Sequence, residues 1–277
     1  MMTRPGKPAK SAKDTKGTAA VAPRQPRVRP VPAVTRSLAI LRLLGSAGAP
    51  MGVKAIADAL GLVPSTALHI LRVLVEEEVV KVEPGTKRYM LGNGMLALAR
   101  SVLENSGFAQ MVQPVLDGLS TRHGVTTMGV EITPAHNIVV LALSRSRQPF
   151  RLHVDVGARF TTMVSATGRL IAAHGGYSDA QLEKKFAAIV WDKAPAFAAW
   201  RKDVELCRRK GWAVDRDNFM VGITVVAVPM LGREGQLTHA LVAAGLTDQL
   251  NAAATTSLAR ELQQEAETLS GLLIGQR

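Results

Sequence analysis

The sequence predicts an α+β chain with two folded domains, a mostly helical one first and a larger one of paired strands and helices after it. Three observations carry this. Between residues 34 and 75, apolar side chains recur at helical spacing in three blocks separated by glycine-containing breaks. Residues 79–82 and 87–91 are short extended runs flanking Pro84-Gly85-Thr86, the pattern of a β-hairpin. Two more strand pairs follow, 126–132 with 137–144 and 224–230 with 238–245, with helical blocks between and after them. A length of 277 residues accommodates two such domains.

In the first domain, assigned to residues 33–93, Leu38, Leu41 and Leu44 begin an apolar helix face. The stretch 45–52 breaks that helix with three glycines and Pro50. A short second helix over 54–60 turns Ile56, Ala57 and Leu60 inward. Gly61 follows where a helix ends on a positive φ. Pro64 suits the first turn of a third helix over 65–75, with Leu68, Leu71 and Leu74 or Val75 on its buried side. Helix, helix, tight turn, helix and hairpin is the order of a winged helix-turn-helix.

The third helix of such a unit fits the major groove and turns its N-terminal side chains toward base edges. Here those are Ser65, Thr66 and His69, with Arg72 one turn on. Lys87 and Arg88 in the wing, together with Arg36 and Lys54, supply cations for phosphates. Ser65 and Thr66 have a plainer reading as caps of the helix start. The partner expected is double-stranded operator DNA.

Composition bounds the rest. With 4% aromatic residues against 47% hydrophobic ones, Ala, Val and Leu must do most of the packing. Cys207 is the only cysteine, which excludes an internal disulfide and a cysteine-rich metal site. The six histidines are scattered without an i, i+4 pair, and no phosphate loop or dinucleotide fingerprint occurs. No cofactor is expected and no catalytic residue emerges. No apolar run reaches the length of a membrane span, and the N-terminal stretch lacks the apolar core of a secretory signal, so a cytoplasmic protein without a membrane partner is expected. The net charge of +12 is weak support for DNA binding, because residues 1–32 hold eight Lys or Arg against Asp14 alone, a net +7. That tail reads as disordered. It is either a basic arm adding nonspecific phosphate affinity or a solvated leader.

Beyond residue 93 the sequence predicts a linker helix over 94–108 and a sheet-and-helix domain over 109–277, with helices near 165–173, 178–188, 196–210 and 252–274. Asp215 and Asp217 would share a strand face, but no nucleophile or metal partner for them is identifiable. Cys207, between Leu206 and Arg208 on an amphipathic helix, reads as a packing residue.

The residues Val34-Thr35-Arg36-Ser37-Leu38-Ala39-Ile40-Leu41, Ile56-Ala57, Leu60-Gly61-Leu62, Ser65-Thr66-Ala67 and Arg88-Tyr89-Met90-Leu91-Gly92 resemble the IclR family of bacterial regulators. The likeness continues through Gly157, Ser165-Ala166-Thr167-Gly168-Arg169, Gly211-Trp212-Ala213-Val214-Asp215, Gly222 and Pro229. It implies a GAF-like effector domain, an antiparallel sheet flanked by helices, and a homodimer or homotetramer on DNA. Four positions at and just before the DNA helix depart from the family pattern. Val63 and Pro64 precede the Ser-Thr pair where the family has Pro and then a basic or polar residue, Leu68 stands for a His, and His69 for an Arg.

Carried over position by position, the effector pocket would be lined by Leu152, Phe160, Ala166, Thr167, Asp215, Val225, Val242 and Ala244. Relatives that take very small oxoacids are more polar at the last three positions. The expected effector is therefore a small carboxylate with an apolar or aromatic body, held at its charged end by Thr167, N–H groups near Gly168 and Arg169. Asp215 also has a plain reading as a loop carboxylate, and Val225, Val242 and Ala244 one as core. The alternative function is a metabolite-binding module or enzyme that uses a winged helix for protein contacts; ligand turnover would favour it, and ligand-dependent operator binding would oppose it.

Overall fold

The computed structural model describes residues 31–105, 107–145, 154–160 and 163–275. The chain divides into two compact units between Met95 and Leu96. The expected basic tail falls, except for Val31 and Pro32, outside the described residues.

The first unit opens with α1 (Pro32–Ser46), which starts at a proline rather than at Val34. Its interior turns on Ile40 and Leu44. Helix α2 (Val53–Leu60) buries Ile56 and Ala57 and ends at Gly61, whose φ of 62° is left-handed as its position demands. Leu62 N–H reaches back to the Ala57 carbonyl at 2.8 Å, closing the helix end. Helix α3 (Pro64–Glu76) buries Ala67, Leu71 and Leu74 at spacings of four and three. The chain is bent by 113° between α2 and α3, within the range of a helix-turn-helix. The wing follows as β1 (Val80–Glu83) and β2 (Arg88–Leu91), antiparallel with Val82 opposite Tyr89. Met51 adds a third edge, exchanging backbone bonds of 2.9 and 2.8 Å with Tyr89. That long-range bridge has no local signature in the sequence.

Helix α4 (Gly94–Asn105) leads away from the wing and carries the chain into the second unit, where α5 (Gly107–His123) follows. The sequence reading missed α5 as a separate helix, because Pro114 and Gly118 look like breakers. Its buried Phe108, Val112, Leu116 and Leu119 nevertheless keep helical spacing, the signal that marks it.

Six antiparallel strands form one sheet: β3 (Thr126–Ile132), β4 (Ile138–Leu143), β5 (Arg159–Phe160), β6 (Ala213–Arg216), β7 (Ile223–Leu231) and β8 (Leu237–Leu246), in the order β5-β4-β3-β8-β7-β6. Between β5 and β6 lie α6 (Ser165–His174), α7 (Asp179–Ala187) and α8 (Phe197–Lys210), and α9 (Ala252–Gly275) closes the chain. Both sheet faces are covered, so the central strands read as nearly continuous apolar runs. Alternate residues separate two cores. Val226, Val228, Leu241 and Ala243 pack with α5 and α9, whereas Ala227, Ala240, Val242 and Ala244 pack with α6 and α8.

Cys207 of α8 is buried in the second of these cores, and desolvation pushes its thiol up to about 12. At neutral pH the sulfur is protonated and unreactive. Thiol alkylation of the native protein should therefore be negligible and should appear only on denaturation; rapid labelling of the folded chain would contradict this packing role.

Candidate DNA interface and effector cavity

The DNA-helix candidates emerge on one side of α3. Ser65, His69 and Arg72 are exposed and Thr66 is half-buried, opposite the Ala67, Leu71 and Leu74 stripe. The residue preceding α3 is Val63, and no side chain caps this helix, so the hydroxyls of Ser65 and Thr66 are not used as caps. The first-turn N–H groups and these hydroxyls are thus presented as donors. In the wing, Lys87 and Arg88 are exposed. The turn before them is tightened by Thr86 Oγ1, which donates to the Glu83 carboxylate at 2.5 Å and accepts from Arg88 N–H at 3.3 Å. Lys87 itself has a φ of 53°. Arg36 on α1 and Lys54 on α2 are also exposed.

The second unit holds a cavity of about 360 Å³ between the sheet and the start of α6. Strand register assembles its walls. Met128 lies opposite Val242, Val225 opposite Ala244, Val130 opposite Val140 and Ile138 opposite Phe160, so side chains distant in sequence become neighbours on one face. Phe219 and Met220 from the β6–β7 loop close one side. The polar end is Ser165 and Thr167 in the first turn of α6. No side chain caps this helix either. Ser165 is 8% exposed and its Oγ is buried without a hydrogen-bond partner. A buried hydroxyl in that condition is costly unless something supplies the missing bond. Among the described residues of the lining, Asp155 is the only charged one, and it has an interaction of its own.

Of the eight pocket residues expected from the sequence, five meet here: Phe160, Thr167, Val225, Val242 and Ala244. Leu152 lies outside the described residues. Ala166 is fully buried and faces away from the lining. Asp215, also outside the lining, is 1% exposed and committed to protein partners: its Oδ1 accepts from Arg169 at 2.7 Å and its Oδ2 from Phe219 N–H at 3.0 Å. Arg169 is likewise consumed, and Gly168 N–H bonds the Val164 carbonyl, so neither is a free anion holder. The residues sequence reasoning missed are mainly Met128, Val130, Ile138 and Val140. They occupy alternate positions of β3 and β4, and nothing in the local sequence says that a gap faces them.

A helix-turn-helix with a cationic exposed face, on a chain that also carries a mostly apolar cavity in an α+β unit, defines the class of DNA-binding, effector-responsive regulators. Residues 33–84 match the IclR helix-turn-helix domain, and residues 100–271 match the bacterial transcriptional regulator IclR C-terminal domain. The glycerol operon regulatory protein of Streptomyces griseus is 30% identical over 226 residues, covering 80% of this chain and 87% of that protein. Among solved structures, an IclR transcriptional regulator from Alicyclobacillus acidocaldarius superposes with a TM-score of 0.75 at 22% identity, over 88% of this chain and 99% of that one. An IclR homologue from Microbacterium hydrocarbonoxydans, solved in complex with 4-hydroxybenzoate, gives 0.69 at 18% identity, over 86% and 98%. The chain belongs to the IclR family of bacterial transcriptional regulators, with a DNA-binding helix-turn-helix domain and an effector-binding domain. Among the described residues, no single helix is long and apolar enough to cross a membrane.

Proposed function

We propose that this regulator controls a catabolic operon in response to a small organic acid with an aromatic or otherwise apolar body. The observation that carries this is the cavity: apolar walls from five strands, and one polar end where an unpartnered buried hydroxyl meets an uncapped helix start. The helix dipole and the free N–H groups of the first turn suit a carboxylate, and the Ser165 and Thr167 hydroxyls complete its hydrogen bonds. The ring or chain then lies along Val225, Val242 and Ala244. Its burial contributes roughly 25 cal/mol per Å², a gain largely denied to a two- or three-carbon oxoacid. The Microbacterium homologue with bound 4-hydroxybenzoate lends the reading a precedent in the same fold.

Calorimetric titration with 4-hydroxybenzoate, benzoate, glyoxylate and pyruvate tests it. The aromatic acids are expected to bind and the oxoacids to bind at least tenfold more weakly. Val242→Ser should weaken the aromatic acids and leave ligand-free DNA affinity unchanged, since residue 242 lies in the other unit. Preference for glyoxylate or pyruvate would refute the proposed effector class.

For operator reading we assign base contacts to Thr66 and His69, with Ser65 at the helix start, and phosphate contacts to Arg36, Lys54, Arg72, Lys87 and Arg88. Thr66→Ala and His69→Ala should each weaken operator binding by about 1–3 kcal/mol while leaving nonspecific DNA affinity nearly intact. Equal losses on operator and random DNA would remove both from base readout. A homodimer or homotetramer is the proposed binding form. In line with this, α1 turns Val34 and Leu38 to solvent and α4 turns Leu96 and Leu98.

A further inference from the structure

Behind the polar end of the cavity lies a buried ion pair, Arg169 and Asp215, which is not part of that cavity's lining. Arg169, 1% exposed, extends from the second turn of α6 and hydrogen-bonds its own helix, β6 and the β6–β7 loop, while its Nε is buried without a hydrogen bond. Its Nη1 donates to Asp215 Oδ1 on β6 at 2.7 Å and to the Ser165 carbonyl at 3.1 Å. Its Nη2 donates to Asn218 Oδ1 in the β6–β7 loop at 3.1 Å. Its Nε lies 3.5 Å from the Asp203 carboxylate of α8, on the solvent side. Asp215 then passes the connection onward through Oδ2 to the Phe219 N–H.

Two of the groups held this way are cavity walls: Ser165 at the polar end and Phe219 in the loop. The same loop is fastened from outside, where Asp192 Oδ2 accepts from Val221 N–H at 3.0 Å and Asp192 N–H reaches the Phe219 carbonyl. A buried ion pair is poor evidence of stability, since desolvation offsets much of its attraction. A planar, five-donor guanidinium is suited instead to fixing several acceptors in one geometry. The pair has an electrostatic consequence as well. With Arg169 beside it, the Asp215 carboxylate is neutralised next to the end of the cavity that accepts an anion.

We propose that Arg169 and Asp215 are the positioning residues of the effector site: together they hold Ser165 and Phe219 at their cavity positions and cancel the negative charge behind the anion-accepting end. This rests on the cavity being the effector site. It differs from the expectation that Asp215 meets the ligand, because both its oxygens are already taken.

The test compares wild type with Arg169→Met/Asp215→Leu, which removes both charges and leaves no buried ion alone, and with Arg169→Lys, which keeps the charge but loses the fork. Amide hydrogen exchange in the ligand-free protein reads the loop, and calorimetry with 4-hydroxybenzoate and benzoate reads the site. The folded double variant is expected to exchange the amides of residues 218–222 at least tenfold faster and to bind the aromatic acids at least tenfold more weakly. Arg169→Lys should fall between the two proteins in both readouts. Unchanged loop exchange in the double variant overturns the proposal, and so does unchanged affinity despite faster exchange. If wild type binds neither acid, the proposed effector class fails, and the exchange result alone then decides whether the pair positions the cavity wall.

Discussion

Replacement of Gly168 by alanine is expected to destabilise the effector-binding unit by about 3 kcal/mol, with the DNA-binding unit unaffected. A Cβ at residue 168 would lie 1.9 Å from the Met163 carbonyl carbon and 2.1 Å from its oxygen. Both are backbone atoms, so no flexible side chain can move aside. The segment opposite is already constrained, with Met163 at φ 72° and Ser165 at φ 56°, uncommon values for residues other than glycine. Relief would require the first turn of α6 to shift, carrying Ser165 and Thr167 out of the cavity. Calorimetry of the full chain should show the transition of the larger unit lowered by roughly 6–12 °C, at about 2–4 °C per kcal/mol for a unit of this size. Aromatic-acid binding should fall with it. A variant with wild-type melting and binding would mean that the close approach is relaxed at no cost.

Arg169→Met alone is expected to cost about 3–5 kcal/mol, because it leaves the Asp215 carboxylate 1% exposed without its cation. The remaining bond from Phe219 N–H cannot replace a charged partner. Adding Asp215→Leu should recover most of this loss, since the residual cost is then only imperfect packing. The sign of that coupling is the informative quantity. A double variant less stable than Arg169→Met would show the carboxylate stabilising by itself, through the loop. Denaturant titration of wild type and the two variants measures it, and an unchanged slope across them would exclude altered unfolded states as the cause.

The DNA-binding unit was legible because its signals are local. Gly61 can end α2 in a left-handed turn, Pro64 can open α3, and Leu71 and Leu74 mark the buried side of that helix, each within a few residues, although the structure buries Ala67 where the spacing pointed to Leu68. The exposure of Ser65, His69 and Arg72 follows from the same periodicity, since what is not on the buried stripe faces out. The Met51 to Tyr89 bridge did not follow, because its partners are 38 positions apart and pair through backbone groups that every residue carries.

The cavity divides along the same line. By itself the sequence determined the α+β class, the strand pairs around their turns, and the apolar character of positions 225, 242 and 244, because alternation and turn chemistry are properties of neighbouring residues. Only the tertiary structure decided that Met128 and Val130 share a wall with them, since that depends on how β3 registers against β8 across more than a hundred residues. It also decided the fate of Asp215. A carboxylate two residues from Asp217 looks available in one dimension, yet burial forces each charge to take a partner, and α6 brings Arg169 within 2.7 Å of it before any ligand arrives.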